Sequence, residues 1–258
     1  MRGTITTTSC GLFALVYKYI HATGYNKRNK GRRPKEKSTS KKQAEINQRA
    51  AADKLFLLIQ GNFKGGDLHI MPTYSENNYP YSTDRMKADH NNFIRRLKYL
   101  YAKHGAELKY ISVVEYLNRR PHFHYIINKI EGIDINAIQN TWGKGLVRCT
   151  PLEAGGYYRK LSDYLIKETS KTFNSSGRVY AKRWSASRNL IQPEKSIEVV
   201  AVDNEDEFLT VPAAADDTGL IHETEYIGVN EHTGTPYIRY VIKLTAEEKK
   251  EPHRGGQT

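Results

Sequence analysis

Two β-prone runs near the middle of the chain, residues 108–116 and 122–130, are separated by only a few polar residues. A connection this short forces the two runs to pair antiparallel, because parallel strands need a crossover of about a dozen residues or more. If the turn holds residues 117–120, Glu115 lies directly across from His122. The sequence therefore predicts a β-hairpin with one defined register.

Helical patterns flank this hairpin on both sides. Apolar residues recur at helical spacing in these stretches, and cap residues and glycines mark where the helices begin and end. The predicted elements are a helix over 41–60, a strand over 67–74, a helix over 83–103, the hairpin, a short helix between Asp134 and Trp142, a strand over 146–149 and a helix over 156–171. This order predicts an α+β fold in which helices pack on a central antiparallel β-sheet.

The formal charge of +12 is unevenly distributed along the chain. Residues 1–50 carry 12 basic against 2 acidic groups, residues 51–193 carry 22 against 12, and residues 194–258 carry 6 against 14. We therefore predict a basic flexible arm over 1–45, a catalytic domain over 46–193 and an acidic C-terminal accessory segment over 194–258. The excess of positive charge in the first two parts favours nucleic acid as a partner.

The rest of the composition limits the location and the architecture of the protein. Only Cys10 and Cys149 are present, which indicates neither a disulfide framework nor a cysteine zinc site. The two cysteines fit a reducing cytoplasm, and the apolar patch over 10–20 is too short to span a bilayer, so we predict a cytoplasmic protein with no membrane partner. Two β-prone pieces, 196–202 and 237–244, are predicted to form an accessory hairpin or an edge addition.

The hairpin carries a candidate metal site. His122 and His124 are two residues apart on a predicted strand, so their imidazoles share one face while Phe123 points to the other. Histidines on a strand are more often packing residues, but the opposed Glu115 favours metal binding. Two imidazoles and one carboxylate with open positions suit Mg²⁺ or Mn²⁺ better than a closed structural zinc site.

A candidate nucleophile lies on the last predicted helix. Tyr164 and Lys167 are three residues apart and hence neighbours on the helix surface. A phenol has an ordinary pKa near 10, so a nearby cation and a bound metal would help it to attack a phosphodiester. Tyr157 is the alternative nucleophile, because Tyr157 and Lys160 repeat the same spacing one heptad earlier. We favour Tyr164, since Tyr157 follows two glycines at the helix start, where fraying hinders precise positioning.

Several basic residues near these motifs are candidates for contact with DNA phosphates. Each is individually more typical of a solvated surface charge. The candidates are Arg119, Arg120, Lys160, Lys182, Arg183 and Arg188.

At these residues the chain resembles the HUH endonuclease superfamily, whose histidine, bulky apolar, histidine motif is similar to His122-Phe123-His124. Three motifs occur in family order, at residues 68–74, 121–124 and 164–167. Together they look like those of the rolling-circle replication initiators, or Rep proteins, of bacterial plasmids, phages and integrative elements. Pro72 departs from the first motif.

The resemblance implies an RRM-like or ferredoxin-like core, with the metal on the face of the sheet and the nucleophile helix laid across it. It implies a metal-dependent, site-specific single-strand DNA endonuclease and strand transferase that nicks an origin, forms a 5′-phosphotyrosine link and later rejoins the ends. Single-stranded or hairpin origin DNA and a host DNA polymerase are the implied partners. A host helicase is also implied, because the sequence contains no Walker A loop.

Three alternatives remain open from the sequence. A single-tyrosine HUH transposase shares the order of the motifs, whereas in many mobilisation relaxases the tyrosine precedes the histidine motif. A non-catalytic, basic nucleic-acid-binding protein would explain the charge without any reaction. The last alternative predicts metal-independent binding and no covalent protein–DNA adduct.

Overall fold

The structure is a computed structural model that describes residues 1–21, 41–116, 121–173, 182–211, 226–230 and 234–244. The chain divides into two compact units, Asn47–Leu190 and the combination of Met1–Ile46 with Ile191–Thr258. In chain order, the elements of the described residues are β1 (Arg2–Cys10), β2 (Phe13–Ile20), α1 (Lys41–Gln60), β3 (Leu68–Pro72), a 3₁₀ turn (Glu76–Asn78), α2 (Thr83–Lys103), β4 (Tyr110–Glu115), β5 (His122–Ile127), α3 (Ile135–Trp142), β6 (Val147–Pro151), α4 (Arg159–Phe173), β7 (Ser185–Ala186), β8 (Glu194–Ala201), α5 (Glu205–Phe208), β9 (Tyr226–Val229) and β10 (Pro236–Lys243).

The Asn47–Leu190 unit is built on a five-stranded sheet with the order β6-β3-β5-β4-β7. Every neighbouring pair in this sheet is antiparallel. Helices pack on both faces of the sheet, so each strand can bury the side chains of both its faces. The prediction of an α+β fold with a central antiparallel sheet is confirmed.

One face of this sheet packs against α2 and α3. Phe123 and Tyr125 of β5 lie in a single buried cluster with Phe93 and Leu97 of α2 and Trp142 of α3. The ring of Phe93 makes edge contacts with the rings of Tyr125 and Trp142, at centroid distances of 5.3 Å in both cases. Each of these large side chains contributes about 1.5–3 kcal/mol through burial, so this face supplies much of the unit's stability.

The other face of the same sheet packs against α1 and α4. Ile126 of β5 lies in a second buried cluster with Ile59 of α1 and with Leu165 and Ile166 of α4. Because side chains alternate along a strand, His124 points to the same face as Ile126. Helix α4 is therefore held against the face that carries the predicted metal ligands.

Local signals fix the ends of α2 and α3. The side chain of Ser82 accepts a hydrogen bond from the backbone N–H of Arg85 at the start of α2, and Asp134 caps α3 in the same way. Gly143 ends α3 in the left-handed conformation, with φ 62°. The predicted bounds of α1 and α2 agree with the structure at both ends.

A tight turn after α3 fixes the end of β3. The indole Nε1–H of Trp142 donates a hydrogen bond to the carbonyl oxygen of Thr73 at 2.8 Å. Gly145 has φ +155°, and a Cβ at this position would lie 2.3 Å from the same carbonyl oxygen. Only a glycine therefore lets the turn approach Thr73 this closely. Thr73 also forms an isolated antiparallel β-bridge with His122.

A buried histidine on α2 makes the stability of this unit sensitive to acid. His90 stacks on Tyr125, with ring centroids 5.6 Å apart, and its Nδ1 lies 2.8 Å from the Tyr125 hydroxyl. Burial lowers the pKa of His90 to about 4, whereas an unfolded histidine has a pKa near 6.5. The folded pKa is depressed, so this contribution to stability is present above about pH 6.5 and is lost as the pH falls towards 4.

We expect His90→Phe to reduce the acid sensitivity of the protein. When the pH is lowered from 7.5 to 5, the buried neutral His90 should lower the free energy of unfolding of the wild-type protein by about 2 kcal/mol. The variant should lack this part of the decrease. Denaturant unfolding of the wild-type and variant proteins at both pH values measures this difference. An identical fall in both proteins would contradict the assignment.

The second unit forms a separate five-stranded sheet with the order β8-β1-β2-β10-β9. Its pairs are all antiparallel. The predicted arm over residues 1–45 is therefore wrong for residues 2–20, which form β1 and β2. The prediction failed because the outer partners of these two strands, β8 and β10, lie near the other end of the chain. The most basic part of the predicted arm, residues 22–40, lies outside the described residues.

The two β-prone pieces of the predicted acidic segment do not form the accessory hairpin, but the alternative of an edge addition fits β8, which is an edge strand of its sheet. Strand β8 pairs with β1 and strand β10 pairs with β2, so β8 and β10 are not neighbours. The C-terminal part of the chain thus completes a sheet begun by the first 20 residues. Within the part of the chain that the structure describes, no helix is both long and apolar enough to cross a bilayer.

Candidate metal centre

The hairpin formed by β4 and β5 has the predicted register. Glu115 pairs directly with His122 across the two strands. The carboxylate Oε2 of Glu115 lies 3.3 Å from Nε2 of His122. The prediction that these two side chains lie opposite one another is confirmed.

Glu115, His122 and His124 form a group that can hold a metal ion. One potential ligand atom from each residue lies within 4.8 Å of the other two. Glu115 and His124 are only 6% and 1% exposed, whereas His122 is half-buried. Two nitrogen ligands and one carboxylate leave further coordination positions open to water or to a phosphate oxygen.

His124 supplies an observation that supports metal binding. Its Nε2 atom is buried and has no hydrogen-bond partner among the residues that the structure describes. A buried polar atom left without a partner costs about 1–3 kcal/mol, so such atoms are rare in folded proteins. A cation bound by Nε2 would satisfy this atom, and the donor set therefore fits a divalent metal ion.

The protonation state of His124 suits the same role. Burial, with smaller contributions from the charges of His69 and His122, lowers the pKa of His124 to about 3. The imidazole is therefore neutral near pH 7, and a neutral imidazole is the form that binds metals. The low pKa and the unpartnered Nε2 indicate a preformed ligand.

His69 on β3 positions His124. Nε2 of His69 lies 3.0 Å from Nδ1 of His124, and the two rings stack with centroids 5.3 Å apart. Burial lowers the pKa of His69 as well, so both rings are neutral near pH 7. If His124 binds a metal through Nε2, its Nδ1 carries the proton and donates a hydrogen bond to Nε2 of His69. The sequence did not reveal this role, because the relative register of β3 and β5 cannot be read from it.

We expect His69→Phe to weaken Mn²⁺ binding by about 10- to 100-fold, the usual cost of losing a partner of a metal-bound histidine. His69→Gln should retain more of the Mn²⁺ affinity, because the amide oxygen of glutamine can accept the hydrogen bond from Nδ1–H of His124. Titration calorimetry with Mn²⁺ measures both affinities, and thermal unfolding without metal shows that each variant is folded. Equal Mn²⁺ affinity in the wild-type and His69→Phe proteins would contradict this role.

Tyr164 lies beside the candidate metal ligands. Its ring makes an edge contact with the ring of His124, with centroids 5.6 Å apart and an interplanar angle of 86°. It is 44% exposed, whereas the next two residues of α4, Leu165 and Ile166, are buried against the sheet. Helix α4 thus holds Tyr164 beside the candidate metal ligands while leaving the side chain partly exposed to solvent.

Tyr157 occupies a different position. The sequence predicted a helix from Gly156, with Tyr157 and Tyr164 on one helical face, but α4 begins at Arg159. Tyr157 instead precedes the helix, and its ring packs against the ring of Phe56 on α1 at a centroid distance of 5.3 Å. The predicted shared helical face is therefore wrong. Of the two tyrosines, Tyr164 is the one whose described ring contacts include His124.

The predicted DNA-contact residues have varied surroundings. Lys160 and Lys167 are exposed on α4, and Lys182 and Arg188 are exposed after it. Arg183 is half-buried and donates a hydrogen bond from Nη1 to the side-chain oxygen of Ser170 at 2.9 Å. One of its guanidinium nitrogens is therefore engaged in an internal contact of the protein. The predicted contacts at Arg119 and Arg120 lie outside the described residues.

These features define an α+β protein that carries a candidate divalent-metal site beside a partly exposed tyrosine. The chain is similar to a known family over residues 70–173, where it matches the family model of the replication-associated protein ORF2. The matched segment covers about two fifths of the chain and includes the three candidate ligands and Tyr164. The match links the protein to DNA replication and is consistent with a rolling-circle replication initiator.

Comparisons of the whole chain give no closer relationship. No curated protein matches this sequence. No solved structure matches it either.

Proposed function

We propose that this protein is a rolling-circle replication initiator of the HUH endonuclease type, which nicks one DNA strand at an origin. The observation that carries the proposal is the contact between Tyr164 and His124, whose buried Nε2 has no partner among the described residues. A candidate nucleophile and a candidate metal ligand thus lie side by side. The match to a replication-associated family over the same residues supports this reading.

Glu115, His122 and His124 are the residues that would hold the ion. A bound Mg²⁺ or Mn²⁺ would polarise the scissile phosphate and stabilise the negative charge that develops on it. The carboxylate of Glu115 supplies a negative charge that favours a divalent cation, and its burial restricts competition from water. His69 holds the ring of His124 in one orientation by the hydrogen bond between them.

Tyr164 is the proposed nucleophile. Its phenolic oxygen attacks the phosphorus, a new bond forms between this oxygen and phosphorus, and the bond from phosphorus to the 3′-oxygen breaks. The phenolic proton passes to solvent and the departing 3′-oxygen gains a proton, so the products are a 5′-phosphotyrosine and a free 3′-hydroxyl. Rejoining is the reverse reaction, in which a 3′-hydroxyl attacks the phosphotyrosine.

Positive side chains on α4 are proposed to guide the substrate. Lys167 lies three residues after Tyr164, where it can steady charge on the phosphate, and Lys160 is exposed one turn before Tyr164. Lys182 and Arg188 extend the positive charge beyond this helix. These cations are expected to contact the backbone of single-stranded or hairpin origin DNA, with Arg119, Arg120 and Arg183 as further candidates.

The proposed reaction implies partners in a bacterial host. A DNA polymerase would extend the 3′-hydroxyl, and a helicase would separate the strands. Both would be host proteins acting with this initiator in the cytoplasm.

The proposal is tested by incubating the protein with single-stranded hairpin oligonucleotides of candidate origin sequence. The DNA is labelled on the 3′ side of the cleavage site, so that a covalent adduct retains the label. We expect an SDS-stable protein–DNA adduct with Mn²⁺ and none with EDTA. Adduct formation in EDTA would exclude the metal role. If DNA binds equally well with and without metal and is never cut, the protein is a non-catalytic binding protein.

A further inference from the structure

A stripe of positive charge runs along the edge of α2 that lies beside α3. Arg85, Arg96 and Lys103 are spaced by 11 and 7 residues, which correspond to about three and two helical turns. These spacings place all three side chains, which are exposed, on the same side of the helix. Lys87 and Lys98 are also spaced by 11 residues, but they fall on another side.

A pocket of about 220 Å³ opens at one end of this stripe, between α2 and the turn after α3. Its lining includes Arg85, Arg96 and Lys144 around the carboxylate of Asp89. Asp89 is only 3% exposed, and its oxygen atoms lie 3.3 Å from Nε of Arg85 and 3.2 Å from Nζ of Lys144. The buried carboxylate thus fixes two cations at the edge of the pocket.

The pocket carries more hydrogen-bond donors than Asp89 can accept. A carboxylate offers about four acceptor sites, whereas a guanidinium has five N–H groups and an ammonium has three. The hydroxyl of Tyr74 also donates to Asp89, at 3.4 Å. The surplus N–H groups of Arg85 and Lys144, together with Arg96, suit an anion with several acceptor oxygens, such as a phosphate group.

An open groove between α2 and α3 continues from this pocket. The groove is lined by Arg95, Arg96, Tyr99 and Lys103 among others, and it shares Arg96 with the pocket. The ammonium of Lys103 lies 4.8 Å from the centre of the Tyr99 ring, so this ring face already has a cation over it. Among the described residues, the pocket and groove together contain five basic side chains and one acidic side chain.

The dimensions and position of this surface indicate the ligand. From Arg85 to Lys103 the helix rises about 27 Å, which is close to the length of eight base pairs at about 3.4 Å each. A row of cations held on a rigid helix matches the fixed phosphate positions of a duplex better than those of a flexible single strand. The surface belongs to the face of the sheet that buries Phe123 and Tyr125, opposite to the face that carries His124 and Tyr164.

We propose that this surface binds the phosphate backbone of duplex DNA, with Arg85, Arg96 and Lys144 holding one phosphate and Arg95 and Lys103 contacting others along α2. The site is separate from the proposed nicking site. It would hold duplex DNA next to the strand that is cut, by contacts that do not depend on base sequence.

The test compares two double variants of the full chain that each remove two charges from α2. Arg96→Gln with Lys103→Gln alters the proposed surface, and Lys87→Gln with Lys98→Gln is the matched control. Fluorescence anisotropy measures binding to a 20-base-pair duplex and to a single strand of the same length, in EDTA, over a series of salt concentrations. Circular dichroism confirms that both variants are folded.

Affinity for duplex DNA falls as salt rises, and we expect this fall to be less steep in the first variant. The magnitude of the slope of log affinity against log salt should decrease by about 1.8, since each of the two lost phosphate contacts contributes about 0.9. The control should keep the wild-type slope. Equal changes in both variants, no change in either, or a change confined to the single strand would overturn the proposal. The binding experiment is done in EDTA, so it does not depend on DNA cutting, whereas the nicking assay measures cutting of hairpin oligonucleotides. Either proposal can therefore fail while the other is upheld.

Discussion

Replacing Tyr164 with phenylalanine is expected to lower the rate of DNA nicking by at least about a thousandfold, because the variant lacks the oxygen that attacks phosphorus. Phenylalanine keeps the ring that contacts His124, so Mn²⁺ binding and the fold should be unchanged. Single-turnover nicking of a labelled origin oligonucleotide measures the rate, and titration with Mn²⁺ measures metal binding. A variant that loses nicking activity but still binds Mn²⁺ normally identifies Tyr164 as the nucleophile.

Tyr157→Phe is the matched control for this experiment. Tyr157 lies outside α4 and packs on Phe56, so its hydroxyl should be dispensable for nicking. We expect nicking within about a factor of two of wild type, as for a substitution away from the reacting atoms. Loss of nicking in Tyr157→Phe together with full activity in Tyr164→Phe would identify Tyr157, and not Tyr164, as the nucleophile.

The second large effect is expected at His124. His124→Leu should weaken Mn²⁺ binding more than about a hundredfold, the upper end of the loss expected for its partner His69, and nicking should fall with it. The free energy of unfolding without metal should change by less than about 2 kcal/mol. The reason is that leucine removes the buried Nε2, which has no hydrogen-bond partner among the described residues, and this gain offsets the loss of the hydrogen bond between Nδ1 and His69.

Calorimetric titration with Mn²⁺ and denaturant unfolding in EDTA measure these two quantities. His104→Leu is a suitable control, because His104 is exposed at the end of α2. If His124→Leu binds Mn²⁺ as tightly as the wild-type protein does, His124 is not a ligand. A collapse of the metal-free fold would instead show that His124 has a structural role.

Local sequence signals predicted most of the Asn47–Leu190 unit. The cap at Asp134 and the glycine after Trp142 define the ends of α3 without reference to distant residues. The short connection between the two strands of the hairpin also fixed the pairing of Glu115 with His122. The candidate metal ligands could be grouped from the sequence because their geometry depends on one local hairpin.

Features that depend on distant parts of the chain were not predicted. The pairing of β1 with β8 joins opposite ends of the chain, and the Thr-rich sequence of β1 carries little apolar alternation. The contact of His69 with His124 depends on the register between β3 and β5. Tyr157 was misplaced because the start of α4 at Arg159 is not marked by a strong cap signal.

The most direct test of the account is to identify the amino acid that becomes linked to DNA. The wild-type protein is incubated with a candidate origin oligonucleotide and Mn²⁺, the SDS-stable adduct is digested with a protease and a nuclease, and the modified peptide is sequenced by mass spectrometry. The account predicts a nucleotide attached through a 5′-phosphate to Tyr164. A nucleotide on Tyr157 or on any other residue, or cleavage of the DNA without an adduct, would contradict it.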